Sequence, residues 1–463
     1  MKLLARLTTG KPWSVVAAAL LFTAIAGAFG GPVAGILQGG GFFDPHSAGK
    51  AASDKVQGAT GALASPVIIL VRLTAPIASP EAHEQVLAAE SSLSADPNIQ
   101  SIGGYYDTGS PTFLSTDGTQ TFLAVNLKPA TPDAGIEAEH IAALLKSQPN
   151  TKVGGAAMAQ QQVQEQVKKD LGMAESLAFP LLFLLSLWVF RGLIAATLPL
   201  MGGGITILGA FLGLRLVTLH TPLSIFALNL TTGMGLGLAI DYSLFILSRF
   251  REEMKAGLTV DKAVSRSLAT AGRTVLFSSL TVAVALSSLL VFPEPFLYSM
   301  AVGGIITSLM AAASALVLLP AVLRLLGRRV NSLAPTRWHR EMEEAEGFWY
   351  RLARIVLRRP VFSALAAGGV LILLGLPFLS MKFTSVDTSV LPASYSSRQV
   401  NDVLTQDFPA TATPAMYAVF TSPSGDPGAV QAFAQRLAGL PEVKAVSLQP
   451  LDVQTWRIGI TVR

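Results

Sequence analysis

Apolar residues gather into seven runs, and two long polar stretches separate some of them. The runs cover 13 to about 35, 175–190, 192–214, 223–248, 274–292, 298–326 and 361–381. Each is long enough to cross a hydrocarbon layer of roughly 30 Å as a helix, the 175–190 run only just. Lys2, Arg6 and Lys11 precede the first run, as in a signal peptide. That run is long for such a peptide, and Gly and Pro follow it instead of a small-residue cleavage site. It reads as an uncleaved first span.

The first polar stretch, 38–173, alternates between the two short periods. Residues 67–73 read as a strand, and 80–94 as a helix with Ser79 as its N-cap. Strands at 99–106 and 121–128, a helix at 135–147 and a strand at 151–155 follow. The order β-α-β-β-α-β is the split βαβ, ferredoxin-like pattern. A polar helix over 158–172 leads to the next span. The second polar stretch starts at 382 and repeats the order: strand 416–421, helix 427–440, strands 443–449 and 456–462. A span followed by an α+β region therefore occurs twice. Internal repeats built around membrane spans mark transporters. The second copy stops at Arg463, before a second helix and a closing strand, and is expected to be incomplete.

Composition changes little in this picture and removes several alternatives. Of 463 residues, 51% are hydrophobic and 14% charged, which excludes a disordered chain and argues against a soluble enzyme. There is no cysteine, hence no disulfide, thiolate metal site or Fe–S cluster. The net charge of +5 could suggest nucleic acid, but the bases collect at alternate joins between runs. Arg249, Arg251, Lys255, Lys262, Arg266 and Arg273 crowd one join, and the Arg-rich stretch 324–359 another. The alternating joins, 219–222 and 292–296, carry no Lys or Arg. The positive-inside rule then puts the N-terminus, 249–273 and 327–360 in the cytoplasm of a cell-membrane protein. Residues 338–356 read as an amphipathic helix on that surface. Region 38–173, where acids outnumber bases, falls outside.

One run holds a charge. Asp241 lies inside 223–248 with Tyr242 beside it. An ionised carboxylate at the bilayer centre costs roughly 2.5–3.5 kcal/mol on insertion scales, so intramembrane acids are rare and default to function. An acid in hydrocarbon exchanges its proton closer to neutral pH than one in water. Asp241, with Tyr242, is the candidate proton relay; the alternative is a structural acid bonded to a neighbouring helix. Ser278, Ser279 and Thr281 on the next span, and Asn229 above Asp241, are candidate relay partners. Their alternatives are hydrogen bonds to their own helix backbone and packing contacts. Gly233, Gly235 and Gly237 look like part of a phosphate loop, but no strand precedes them; close helix approach suits them better. His46, His83, His140, His220 and His339 show no metal spacing, and no nucleophile–base pair or phosphate loop with its Lys occurs. Neither a metal, a cofactor nor an enzymatic activity is expected.

Several stretches together resemble the MMPL (mycobacterial membrane protein large) family of the resistance-nodulation-division superfamily. They are Gly-Leu-Ala-Ile-Asp241-Tyr242-Ser-Leu-Phe, Ser-Arg-Phe-Arg-Glu-Glu253, Gly272-Arg-Thr-Val-Leu-Phe-Ser-Ser279, Leu-Leu-Val-Phe-Pro293 and Gly41-Phe-Phe-Asp-Pro45. The resemblance implies an α-helical polytopic membrane protein with extracytoplasmic ferredoxin-like porter domains. It also implies proton-motive-force-driven export of lipids or other hydrophobic molecules, with the family's Asp-Tyr pair at Asp241 and Tyr242. On that reading 1–37 holds the tail and first span, 38–173 a porter domain and 174–328 a five-helix bundle like a sterol-sensing domain. A cytoplasmic linker (329–360), a seventh span (361–381) and the start of a second porter domain (382–463) follow. The family's second Asp-Tyr pair has no counterpart here. A second copy of the chain, or a complementary second-half polypeptide, is therefore an expected partner, along with membrane lipids and protons. The other readings are a non-transporting lipid-sensing or scaffold protein and an inactive fragment of a longer transporter.

Overall fold

The computed structural model describes residues 1–37, 44–63, 66–131, 133–332, 348–380, 388–408, 416–422 and 426–462. Gly41, Phe42 and Phe43 of the lead-in motif fall outside these residues, as do 338–347 of the expected amphipathic helix.

In chain order, helices α1 (Lys2–Gly10), α2 (Pro12–Ile25) and α3 (Ala48–Thr60) open the molecule. Strand β1 (Val67–Arg72), helix α4 (Pro80–Ser91), strand β2 (Ile99–Gly103) and the short helix α5 (Tyr105–Thr108) follow. Next come β3 (Gln120–Leu127), α6 (Ala134–Leu144) and β4 (Thr151–Gly155). The long helices are α7 (Ala156–Phe190), α8 (Leu193–Thr218), α9 (Phe226–Lys255), α10 (Val260–Ala269), α11 (Ala271–Ser287), α12 (Pro295–Ala313) and α13 (Leu319–Leu326). After them come α14 (Phe348–Arg358), α15 (Pro360–Gly375), α16 (Ser396–Asp407), β5 (Met416–Thr421), α17 (Pro427–Ala438), β6 (Val443–Pro450) and β7 (Thr455–Val462). The chain divides into a helical unit, Met1–Phe42 with Leu171–Thr384, and an α/β unit, Phe43–Asp170 with Ser385–Arg463.

Several elements differ from the sequence expectation. The polar helix at 158–172 and the run at 175–190 form one helix, α7, of 35 residues. No Gly-Pro break separates the two runs, and Pro180 lies within the helix. The strand expected over 99–106 ends at Gly103, because Asp107 Oδ2 accepts from Gly104 N (2.9 Å) and turns the chain into α5. Helices α1, α3, α10 and α16 have no counterpart in the expectation.

In the α/β unit the first sheet is antiparallel in the order β2-β3-β1-β4, the ferredoxin-like arrangement. Ser79 caps α4 by accepting from Ala82 N (3.2 Å), with Pro80 at the first helical position. Asp133 Oδ1 caps α6 from Gly135 N (2.8 Å) and Ile136 N (3.1 Å). Alternation along the strands builds two cores. Val67, Ile69, Val71, Leu123, Val125 and Leu127 pack with α4 and α6 residues such as Val86, Ala89 and Ile141. Leu70 and Phe122, on the other face, pack with Val400 and Phe408. A strand covered on both faces reads as an unbroken apolar run, as Val67–Val71 does.

Helix α16 is the second cover. It lies so close to β4 that a Cβ at Gly154 would stand 2.6 Å from Val400 Cβ, a separation only glycine allows. Three hydrogen bonds tie its start to α7. Gln162 Oε1 accepts from Ser397 N (3.1 Å) and Ser397 Oγ (2.5 Å), and Gln162 Nε2 donates to Ser396 Oγ (2.9 Å). The second sheet runs β5-β7-β6, the order that β1, β3 and β2 take in the first. Val430 of α17 packs there with Val443, Ile458 and Ile460, and α3 lies against β5 and β7. Each sheet is thus packed by a helix from the opposite half of the chain.

In the helical unit, seven helices among the described residues are long and apolar enough to cross a membrane. The chain is a multi-pass α-helical membrane protein. Its main core joins Phe190, Leu198, Tyr242, Ile246, Phe250, Leu268, Ala312 and Leu316. The span over Pro360–Ser380 buries none of its apolar window inside the chain.

Candidate functional site

Helix α9 carries the candidate site. Its buried positions include Ala227, Thr231, Gly235, Ala239, Tyr242, Ile246 and Phe250, a helical stripe facing the bundle core. Gly235 is where α9 meets α8 and α12. A Cβ there would lie 3.1 Å from Thr307 Cγ2 and 3.3 Å from Ile207 Cγ1. The opposite face carries Asn229, Gly233, Gly237, Asp241 and Phe245, four residues apart and all exposed. Nothing lies within 4 Å of a Cβ placed on Gly233 or Gly237. The three glycines therefore divide. Gly235 permits a close helix approach within the chain, and the other two border open space.

Asp241 and Tyr242 also divide, since adjacent helix residues point about 100° apart. Asp241 lies on the open face and makes no hydrogen bond or ion pair among the described residues. Tyr242 is 2% exposed, and its hydroxyl has no hydrogen-bond partner among the described residues. Beside it, Ser243 and Ser314 line a cavity of about 10 Å³ with Gly202 and Leu198, room for a single water molecule.

The proposed relay hydroxyls are engaged elsewhere. Ser279 Oγ donates to Leu276 O (2.9 Å) and Thr281 Oγ1 to Phe277 O (2.8 Å), both within α11. Ser278 is exposed, and none of the three is a hydrogen-bond partner of Asp241. The interhelical bond in this region comes from a residue not singled out in the sequence: buried Ser308 of α12 donates to Ser279 O (2.9 Å). Ser299 likewise accepts from Ser224 N (2.8 Å). Small hydroxyl residues inside apolar runs are the sequence signal for such links.

The stretch Ser248-Arg-Phe-Arg-Glu-Glu253 anchors the basic end of α9. Phe250 is fully buried, and Arg251 donates to Phe190 O (2.9 Å) at the end of α7. Buried Glu253 pairs with Arg249 (2.5 Å) and with Arg266 of α10 (3.3 Å). Arg324 pairs with Asp261, joining α13 to α10.

Seven apolar helices, an acid on the uncovered face of one of them and a ferredoxin-like α/β unit define a polytopic α-helical membrane protein with an α/β unit. The sequence pattern of the MMPL family matches residues 46–363. The chain belongs to the MMPL family. It is 37% identical over 342 residues to a membrane protein of Streptomyces coelicolor, covering 72% of this chain and 48% of that protein. It is 35% identical over 287 residues to the trehalose monomycolate exporter MmpL3 of Mycolicibacterium smegmatis, covering 56% of this chain and 28% of that one. The mycolic acid-containing lipids exporter MmpL11 of the same organism is 32% identical over 302 residues, covering 65% of this chain and 32% of the relative. The matches span less than half the length of each of these relatives.

Proposed function

We propose that the chain serves proton-motive-force-driven export of lipids or other hydrophobic molecules across the cytoplasmic membrane, with its N-terminus in the cytoplasm. Asp241 is the group that gains and loses the proton, and Tyr242 sits next to it toward the bundle core. The observation that carries this reading is an unpaired acid on an uncovered face of a membrane helix. A structural acid would be expected to bond to a neighbouring helix, and Asp241 has no such bond among the described residues. The names of the two mycobacterial relatives support the substrate class. Alternating basic joins support the orientation. The drive is adequate: at about 150 mV one proton supplies roughly 3.5 kcal/mol, about 2.5 decades of substrate gradient.

The face bearing Asn229, Gly233, Gly237 and Asp241 is proposed to be covered in the working transporter by further spans. A complementary polypeptide or a second copy of the chain would supply them. The test is proton-driven movement of a fluorescent lipid in proteoliposomes, with the purified chain alone and with candidate partners. Asp241→Asn keeps the shape and cannot titrate, so it should abolish movement while the protein still accumulates. Transport that persists with unchanged pH dependence would make Asp241 structural. A chain that binds lipid yet moves none in any combination would favour a lipid-sensing role.

A further inference from the structure

The α/β unit holds a cluster that the export reading does not use. Asp96 lies in the turn that leaves α4, and Glu137 and His140 stand three residues apart on one face of α6. In the sequence Asp96 is about forty residues from the other two, so their spacing along the chain showed nothing. In the fold, one ligand atom from each lies within 4.8 Å of the others. Asp96 Oδ2 is 3.7 Å from His140 Nε2.

The two carboxylates are half satisfied in the same way. Asp96 Oδ1 accepts from Asn98 N (2.9 Å), and Glu137 Oε2 accepts from Asn98 Nδ2 (2.7 Å). One residue, Asn98, thus orients both acids. Their remaining oxygens, Asp96 Oδ2 and Glu137 Oε1, are buried with no hydrogen-bond partner among the described residues. The Asp96 side chain is only 2% exposed, while His140 is 56% exposed. The pair is therefore closed toward the protein and reached through the imidazole. Buried carboxylate oxygens need a proton or a cation.

We propose that Asp96, Glu137 and His140 form a binding site for a divalent transition-metal ion, with zinc the best match. Two carboxylate oxygens and one imidazole nitrogen form a mixed set that suits a borderline ion better than Mg²⁺ or Ca²⁺, which prefer oxygen alone. In a tetrahedral zinc site the ligand atoms stand about 3.3–3.6 Å apart, from metal–ligand bonds of about 2.0–2.2 Å. The observed 3.7 Å is slightly wider. Asn98 is the outer-shell residue that fixes both acids. The fourth position opens toward the exposed imidazole and is left to water or to a ligand. The inference is independent of the proton pathway.

The test uses the full chain in detergent, stripped with a chelator and titrated with Zn²⁺ against a fluorescent indicator. The expected result is one tight Zn²⁺ per chain, not displaced by equal Mg²⁺ or Ca²⁺. His140→Ala, at an exposed position that folding does not need, should weaken it at least tenfold. Glu137→Gln, which keeps the side-chain shape, should do the same. A buried proton shared by the two acids would be indifferent to His140. Absence of stoichiometric zinc binding, or binding equal in wild type and both variants, overturns the site.

Discussion

Replacing Gln162 by alanine tests how α16 is held on the first sheet. The side chain of Tyr395, at the N-cap position of α16, makes no capping bond. The cap comes from another helix: Gln162 Oε1 accepts from Ser397 N, one of the helix's four otherwise unsatisfied donors. The same oxygen takes the Ser397 hydroxyl, and the amide nitrogen reaches Ser396. Both Gln162 and Ser397 are buried, at 7% and 0% exposure, so water cannot fully replace the lost acceptor. Losing a cap costs about 1 kcal/mol, and stranding the buried Ser397 hydroxyl adds about 1 more. Local opening of α16 should then become easier by about 2 kcal/mol, which speeds its amide exchange roughly thirtyfold. Hydrogen–deuterium exchange of peptides spanning 396–407 reads this directly. Gln162→Glu should behave differently. It keeps the acceptor and places a negative charge at a helix N-terminus, which is favourable, so exchange should rise far less. Equal exchange in wild type and Gln162→Ala would refute the cap in trans. Equal loss in the Ala and Glu variants would show that packing, and not the accepting oxygen, holds the helix.

Because the chain has no cysteine, single-cysteine labelling is clean. Ser91→Cys should react with an impermeant maleimide in intact cells and Lys262→Cys only after permeabilisation, and the reverse pattern would overturn the orientation. Gly235→Leu should lower the yield of folded protein, since overpacking costs about 1–3 kcal/mol or more. Gly237→Leu should leave yield unchanged in the chain alone and abolish transport in any assembly that covers that face; unaffected transport would place the partner elsewhere. Backbone Thr119 N–H, with the Ser115 and Thr119 hydroxyls, holds the Asp117 carboxyl at about 2, well below the ordinary carboxylate range. The depressed group stabilises its loop above the unfolded value and loses that effect as pH falls toward 2. Exchange at 115–120 should therefore stay slow at pH 4 and in Asp117→Asn should be fast already at neutral pH, as read by the same mass spectrometry.

The spans and the first sheet were legible because their signals are local. Apolar runs of about twenty residues have few alternatives, and Ser79-Pro80 announces the start of α4 in two residues. Helix α16 escaped because its apolar positions, Val400, Val403 and Leu404, are too few to stand out among polar neighbours, and its cap belongs to another helix. The unbroken Val67–Val71 run did carry the information that a second layer covers the sheet. It could not say which segment supplies that layer. Asp241 was legible as an anomaly of charge in an apolar run, whereas its direction was not. Whether it faces the bundle or away depends on the angular register of α9 against α8 and α12, which Gly235 sets at contact. The convergence of Asp96 with Glu137 and His140 is a tertiary fact, and no spacing encodes it.

The exchange of covering helices has a consequence for how the protein is made. Strand β4 is finished about 250 residues before α16 is synthesised. At 5–20 residues per second, the nascent first half waits on the order of 10–50 s with Leu70 and Phe122 lacking the cover that Val400 and Phe408 later provide. During that interval the ribosome produces all the membrane helices from α7 to α15. Biogenesis therefore includes a stage with inserted spans and a half-clothed sheet, a natural client for chaperones on the side of the membrane where that sheet emerges. Messenger RNA changes that slow translation between 156 and 395 should lengthen this exposure and raise degradation, with no amino acid altered.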